Sequence, residues 1–262
     1  DSARSTAIVV AAPSFLHSLM AGELIAQIRD EGQKQGVAAL SSGISTVTDA
    51  TSTRATTHGL TTRAWDNALQ YEEDNGTRLM IAVEVGVSQT SESLRAAISW
   101  CVCGLGRGLG IAMSIHEVPR RRERAPIQHY SSTQEANEAV AATERDLHRQ
   151  LVERPYGPLI SNGVTWFGRV QHLILETYRA PLEVCPSETL LEPTQSFRII
   201  DDGEFVGDNV PSNLREVVLG DCIPSHILTA HGIEETPINF FRRGWFEAKF
   251  GHAMVSTAIN RI

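Results

Sequence analysis

Residues 79–115, LMIAVEVGVSQTSESLRAAISWCVCGLGRGLGIAMSI, decide how this chain is read. The run 79–87 (LMIAVEVGV) is nearly continuously apolar and rich in β-branched residues, which predicts a buried strand. Residues 91–103 follow with Leu94, Ala97, Ile98 and Cys101 on one helical face. Gly104, Gly106 and Gly108 break that helix, and 109–115 (LGIAMSI) predicts a second buried strand. A strand, helix, strand passage between buried strands implies a right-handed crossover and a mixed sheet. The expected class is α/β.

Upstream, Pro13 and Ser14 open a segment with Phe15, Leu16, Leu19, Met20, Leu24, Ile25 and Ile28 at helical spacing, stopped by Gly32 or Gly36. The Ser/Thr-rich residues 41–62 carry little periodicity; 37–40 and 44–47 are short strand pieces at most. Residues 65–71 read as a short strand containing Asp66, and 72–77 (EEDNGT) as an Asn-Gly turn. The order over 14–117 is therefore helix, strands, helix, strand.

Downstream, 119–124 (PRRRER) reads as a basic surface linker. The capping box STQE (132–135) opens a polar helix running to about Glu153. Asn162-Gly163 and Asp202-Gly203 are hairpin signals, and 217–219 adds strand character. The expected organisation is a core over 1–118, with a helical linker and a mixed α+β region over 119–262 packed on it.

At 262 residues, 42% hydrophobic and 21% charged, the chain has ordinary globular composition. Its net charge of -8 counts against a broad basic surface for nucleic acid. Lys34 and Lys249 are the only two lysines, so any chemistry needing one has two candidates. Cys101 and Cys103 point about 200° apart on a helix, Cys185 and Cys222 stand alone, and CxxC is absent. With no secretory pattern in DSARSTAIVV, this predicts a reduced, intracellular protein, cytoplasmic or nuclear. Glu84 and Arg107 interrupt the two best apolar runs short of a membrane span, so no membrane partner is expected.

The glycines of GLGRGLG (104–110) follow a helix and open a strand, the reverse of a dinucleotide loop. Walker A, HExxH and GxSxG patterns are absent. His226 and His231 are five apart and do not share a helix face. Trp166, Phe167, Trp245 and Phe246 read as core. What stands out is Glu84 inside an apolar strand, where a carboxylate needs a partner or an ion. Asp66 lies on the preceding strand, so the two acids can meet across adjacent strands and suit a hard cation, Mg²⁺ or Mn²⁺. The competing reading is a solvated acid paired with Arg78 or Arg95.

The segments WDNALQY (65–71), RLMIAVEVGVSQTSESLRAAISW (78–100) and LGIAMSI resemble the core of the PD-(D/E)XK, or restriction-endonuclease-like, superfamily. More narrowly, Glu84, Gly86, Ser88, Leu94 and Trp100 match a group of fungal proteins in which an EVGxS strand end runs into a helix bearing Leu and Trp. The likeness covers about 14–117. It implies Asp66 and Glu84 as metal ligands, with Glu23 on the first helix as a third. Trp65 replaces the motif's proline, and Gly86 replaces the lysine that orients the attacking water. Lys34 is the lysine able to migrate in, with Gln89 and Arg95 as weaker substitutes.

The resemblance implies a divalent-metal nuclease-like phosphodiesterase with a degenerate site, in which Asp66, Glu84, Gln89 and Lys34 act on nucleic acid. Two alternatives share the core: a biosynthetic transferase or cyclase working on a small-molecule, carrier-bound or tRNA-bound substrate, and a non-catalytic binding domain.

Overall fold

A computed structural model describes residues 15–34, 43–48, 51–56, 59–73, 76–87, 89–105, 108–118, 130–179, 189–209 and 216–261. Helix α1 (Phe15–Lys34) leads to β1 (Ile44–Thr48), the paired β2 (Thr51–Thr56) and β3 (Gly59–Ala64), then β4 (Asn67–Glu73) and β5 (Gly76–Val87). Helix α2 (Ser91–Leu105) crosses to β6 (Leu109–Val118). Next come α3 (Thr133–Glu153), the hairpin β7 (Leu159–Ser161) and β8 (Val164–Phe167), and the long β9 (Arg169–Arg179). The chain then forms β10 (Gln195–Asp201), β11 (Glu204–Phe205), β12 (Glu216–Val218), α4 (Ser225–Ala230), β13 (Pro237–Asn239) and α5 (Arg243–Ile259).

Seven strands form one mixed sheet in the order β1-β4-β5-β6-β9-β10-β11. Only β5 and β6 run parallel within it, joined by the α2 crossover that the sequence predicts. The fold class is α/β. Strand β9 pairs antiparallel along the whole of β6, so the region after residue 118 extends the same sheet and shares its core.

The two faces of the sheet explain why β5 and β6 read as continuous apolar runs. Odd positions of the central strands are large (Ile81, Val83, Val85, Ile111, Met113, Ile115) and pack with Leu16, Met20, Leu24 and Ile28 of α1 and with Phe246, Phe250 and Met254 of α5. Fully burying each such side chain contributes about 1.5–3 kcal/mol. Even positions are small. Ala68, Ala82, Gly110 and Ala112 let α2 lie close, with Leu94, Ile98, Val102, Trp100 and Cys101 against the sheet. Trp65 and Trp100, 5.6 Å between ring centroids, close one side of this layer.

Local signals hold where they are chemical. Ser132 accepts the amide proton of Glu135 at 3.1 Å and starts α3, a surface helix that buries Leu147. Asn162 and Gly163 take φ of 52° and 74°, and Asp202 and Gly203 take 45° and 73°, the left-handed pairs that two-residue hairpins require. Helix α1 passes through Gly32, which sits against Ile238, and ends at Lys34; Gly36, the other expected stop, lies outside the described residues. Two expectations need correction. Asp66 lies at a bend before β4, not within the strand. Cys103 is disulfide-bonded, so the chain does not carry four reduced thiols. Among the described residues, no helix is long and apolar enough to cross a membrane. Segments 37–40 and 119–124, with Ser88 and Cys185, lie outside the described residues.

Candidate functional site

Strand β5 outruns its neighbour. Strand β4 begins at Asn67, paired with Val83, so the β4-side amides further along β5 have no strand opposite them. Two side chains take those donors. Asp66 Oδ2 accepts from the Val85 amide at 2.7 Å, and His17 Nε2 accepts from the Val87 amide at 3.1 Å. The carboxylate of Asp66 is thereby fixed at the peptide that joins Glu84 to Val85. Glu84 is half-buried and stands next to Ala112 of β6; alternation puts it on the α2 face with Ala82.

His17 reaches this point from α1, on the opposite face of the sheet. Gly22 brings α1 close to the start of β4, since a Cβ there would lie 3.4 Å from Asn67 Nδ2. Burial lowers the pKa of His17 from 6.5, which favours the neutral ring that an acceptor must be. Sequence reasoning missed His17. It occupies an ordinary position on an amphipathic helix, and nothing local reveals which strand end it meets.

Gln89 does come to the site. Gly86 shares a face with Glu84, and a Cβ at Gly86 would sit 3.3 Å from Gln89 Cβ and 3.4 Å from Gln89 Oε1. The Gln89 side chain therefore covers the position from which a lysine would project. Its Nε2 donates to Ser93 Oγ at 2.8 Å, in the first turn of α2.

The other expected participants lie elsewhere. Glu23 points away from the sheet to Lys249 of α5, with Oε1 and Nζ 2.9 Å apart, because α1 is sandwiched between sheet and α5. Lys34 is paired with Glu31 at 2.7 Å, and Glu31 also accepts from Arg242. Lys34 lies twelve residues past Gly22 on α1, about 18 Å along the axis from the β4 entry, beyond the reach of its side chain. Both lysines are thus engaged in ion pairs on the α1–α5 side. Arg95 is held by Glu192 and the Leu191 carbonyl, and its pKa is raised chiefly by the Glu192 hydrogen bond. Arg78 lies six residues, about 20 Å, back along β5 from Glu84. Among the described residues, no group of three His, Cys, Asp or Glu is arranged to hold a metal ion, so the set Asp66, Glu84 and Glu23 does not assemble.

Beyond the first turns of α2, the same sheet face turns polar. It carries Ser114 and His116 on β6 and His172 and Glu176 on β9, each half-buried. Glu176 accepts from Tyr178 Oη at 2.7 Å and from Ser196 Oγ at 3.3 Å. The pKa of Tyr178 is pushed well up, first by burial and then by this carboxylate. The result is a polar face that carries the acids Glu84 and Glu176. No family model, no curated protein and no solved structure matches the chain.

Proposed function

We propose that this chain is a nuclease-like phosphodiesterase of the restriction-endonuclease-like kind with a reduced active site, in which Asp66 and Glu84 share one Mg²⁺ or Mn²⁺. The observation that carries this reading is the Asp66–Val85 hydrogen bond. It ties Oδ2 to the peptide that follows Glu84, at the point where β4 has ended. Two carboxylates form a hard, anionic oxygen set, which suits these ions and leaves several of their water ligands in place. The order of α1, the antiparallel β4–β5 pair, α2 and the parallel β6 is also the order the superfamily resemblance implies. A bound ion supplies an activated water and offsets phosphate charge.

The chain's own residues limit the rate such an ion can reach. Gln89 covers Gly86 with a neutral amide, so it orients a water by hydrogen bonding but adds no positive charge at a pentavalent phosphate. Removing one such stabilising donor costs about 10²–10³ in rate. Slow cleavage of DNA or RNA is therefore expected. The experiment is a cleavage assay with Mg²⁺ and Mn²⁺, together with calorimetric titration of each ion into wild type, Asp66→Ala and Glu84→Ala. Ion binding and slow cleavage, both lost in the two variants, support the proposal; cleavage that survives them refutes it.

A second reading is favoured by the engagement of Lys34 and Lys249 away from the site. In it, the core serves a transferase or cyclase acting on a small or carrier-bound substrate, and the two acids perform proton transfer. Absence of both ion binding and cleavage supports this alternative.

A further inference from the structure

On the face that carries Glu84, past the cover of α2, three side chains form a row across β6, β9 and β10: His116, His172 and Asp201. His116 and His172 are directly opposed in the β6–β9 ladder, and their rings stack with centroids 6.3 Å apart at 22°. His172 Nδ1 lies 2.9 Å from Asp201 Oδ1, and Arg198 Nη1 donates to the same oxygen at 2.8 Å. An ionised carboxylate only accepts. His172 therefore donates from Nδ1, and the neutral ring presents the lone pair of Nε2.

His116 and His172 stand opposite each other in the regular β6–β9 register, and one irregularity adds Asp201 to the row. Between β9 and β10 the register slips between Arg198 and Ile200, so Ile199 and Ile200 both enter the core and Asp201 falls opposite His172. With regular pairing, Ile200 would oppose His172 instead. Between β6 and β9 the register slips just past His116, where Glu117 faces Val170 in the interior. Bulges give up ladder pairing to re-aim a side chain, and they are over-represented next to functional sites.

We propose that His116 and His172 chelate a borderline divalent transition ion, of the Zn²⁺ or Cu²⁺ kind, with Asp201 holding the His172 ring from behind. Imidazole nitrogens suit these ions, whereas Mg²⁺ prefers the oxygens at Asp66 and Glu84. A carboxylate on the second ring nitrogen is the common outer partner of a ligating histidine, fixing its tautomer and raising its basicity. Arg198 balances the charge of Asp201 and keeps it in that supporting role. The side chains of His172 and Asp201 are 35% and 41% exposed, so the ion enters from solvent and water completes its shell. The site is separate from the acidic pair: His116 lies four residues, about 13 Å, along β6 from Ala112, the neighbour of Glu84.

The test is Zn²⁺ binding to the intact protein, measured by competition with a chromophoric chelator at pH 7.5. One equivalent is expected to bind. Affinity should fall at least about tenfold in His116→Ala and His172→Ala, and about 10–100-fold in Asp201→Asn. With Cu²⁺, the electron paramagnetic resonance spectrum should report two nitrogen ligands in the wild type and one in either histidine variant. His116→Gln and His172→Gln repeat the test should an alanine variant not fold. No binding to the wild type, or unchanged binding in both histidine variants, overturns the proposal. So does loss of the bound ion in His148→Ala or His252→Ala, which alter the separate groove between α3 and α5.

Discussion

Asp66 holds the amide of Val85 at 2.7 Å at the point where β4 has ended and β5 continues. The same carboxylate thus pins the strand end and stands at the peptide that follows Glu84, and its two roles are separable by substitution. Asp66→Asn keeps an oxygen for the Val85 amide and should cost less than about 1 kcal/mol, whereas Asp66→Ala strands that donor and should cost about 1–3 kcal/mol. Both variants should lose Mg²⁺ affinity. Urea denaturation beside calorimetry checks this, and equal stability of the two variants would show that the bond contributes little.

His17 gives a pH signature to the adjacent amide. Its pKa is lowered from 6.5 by burial, so the unfolded chain binds the proton more readily than the folded one. Stability from this group is full above about pH 6.5 and declines as pH falls from there toward the lowered value. His17→Gln retains an acceptor for Val87 and does not titrate, so its stability should vary less between pH 7 and 5 than that of the wild type. Parallel slopes for the two proteins would dissociate His17 from the effect.

Much of the fold was legible because it is periodic or local. The runs 79–87 and 109–115, the helix between them and the two Asn/Asp-Gly turns declare themselves through side-chain spacing and backbone chemistry. Residues whose neighbours come from distant segments did not. Glu23 reads as a site acid only if α1 turns that side to β4 and β5, yet Lys249, more than two hundred residues later, claims it from α5. Asp66 reads as mid-strand because nothing nearby in sequence says where pairing with β5 begins. His116 and His172 meet across strands far apart in sequence, and Asp201 joins them only through a register slip in β10, which no alternation pattern foretells.

The small even positions of β5 and β6 set how closely α2 approaches. A Cβ at Gly110 would lie 2.5 Å from Ile98 Cγ2 and 2.7 Å from Val102 Cγ2, so Gly110→Ala must push α2 outward. Overpacking of this kind costs about 1–3 kcal/mol. The variant should melt lower than the wild type. Ile98→Val relieves only some of the crowding, because Val102 remains, and the double variant should regain part of the loss. No recovery would mean that the strain is taken up elsewhere.

The far end of β6 is tied down by a buried ion pair whose two halves lie 144 residues apart in sequence. Glu117 Oε1 accepts from the Gly168 amide at 2.7 Å and from Arg261 Nη1 at 2.9 Å, while Oε2 accepts from Arg261 Nη2 at 3.2 Å. Arg261 also donates to the Trp166 carbonyl and lies over the Phe167 ring, 5.2 Å from its centroid. The Glu117 side chain is 3% exposed, so losing its partner leaves a charge with little water to stabilise it. Arg261→Met should therefore destabilise the protein by about 3–5 kcal/mol. Adding Glu117→Gln removes the stranded charge and still offers an oxygen to Gly168, so the double variant should be more stable than Arg261→Met alone. Equilibrium denaturation of the wild type, Arg261→Met, Glu117→Gln and the double variant decides it: a double variant as unstable as the sum of its singles would mean that the two residues act independently, against the bidentate geometry between them.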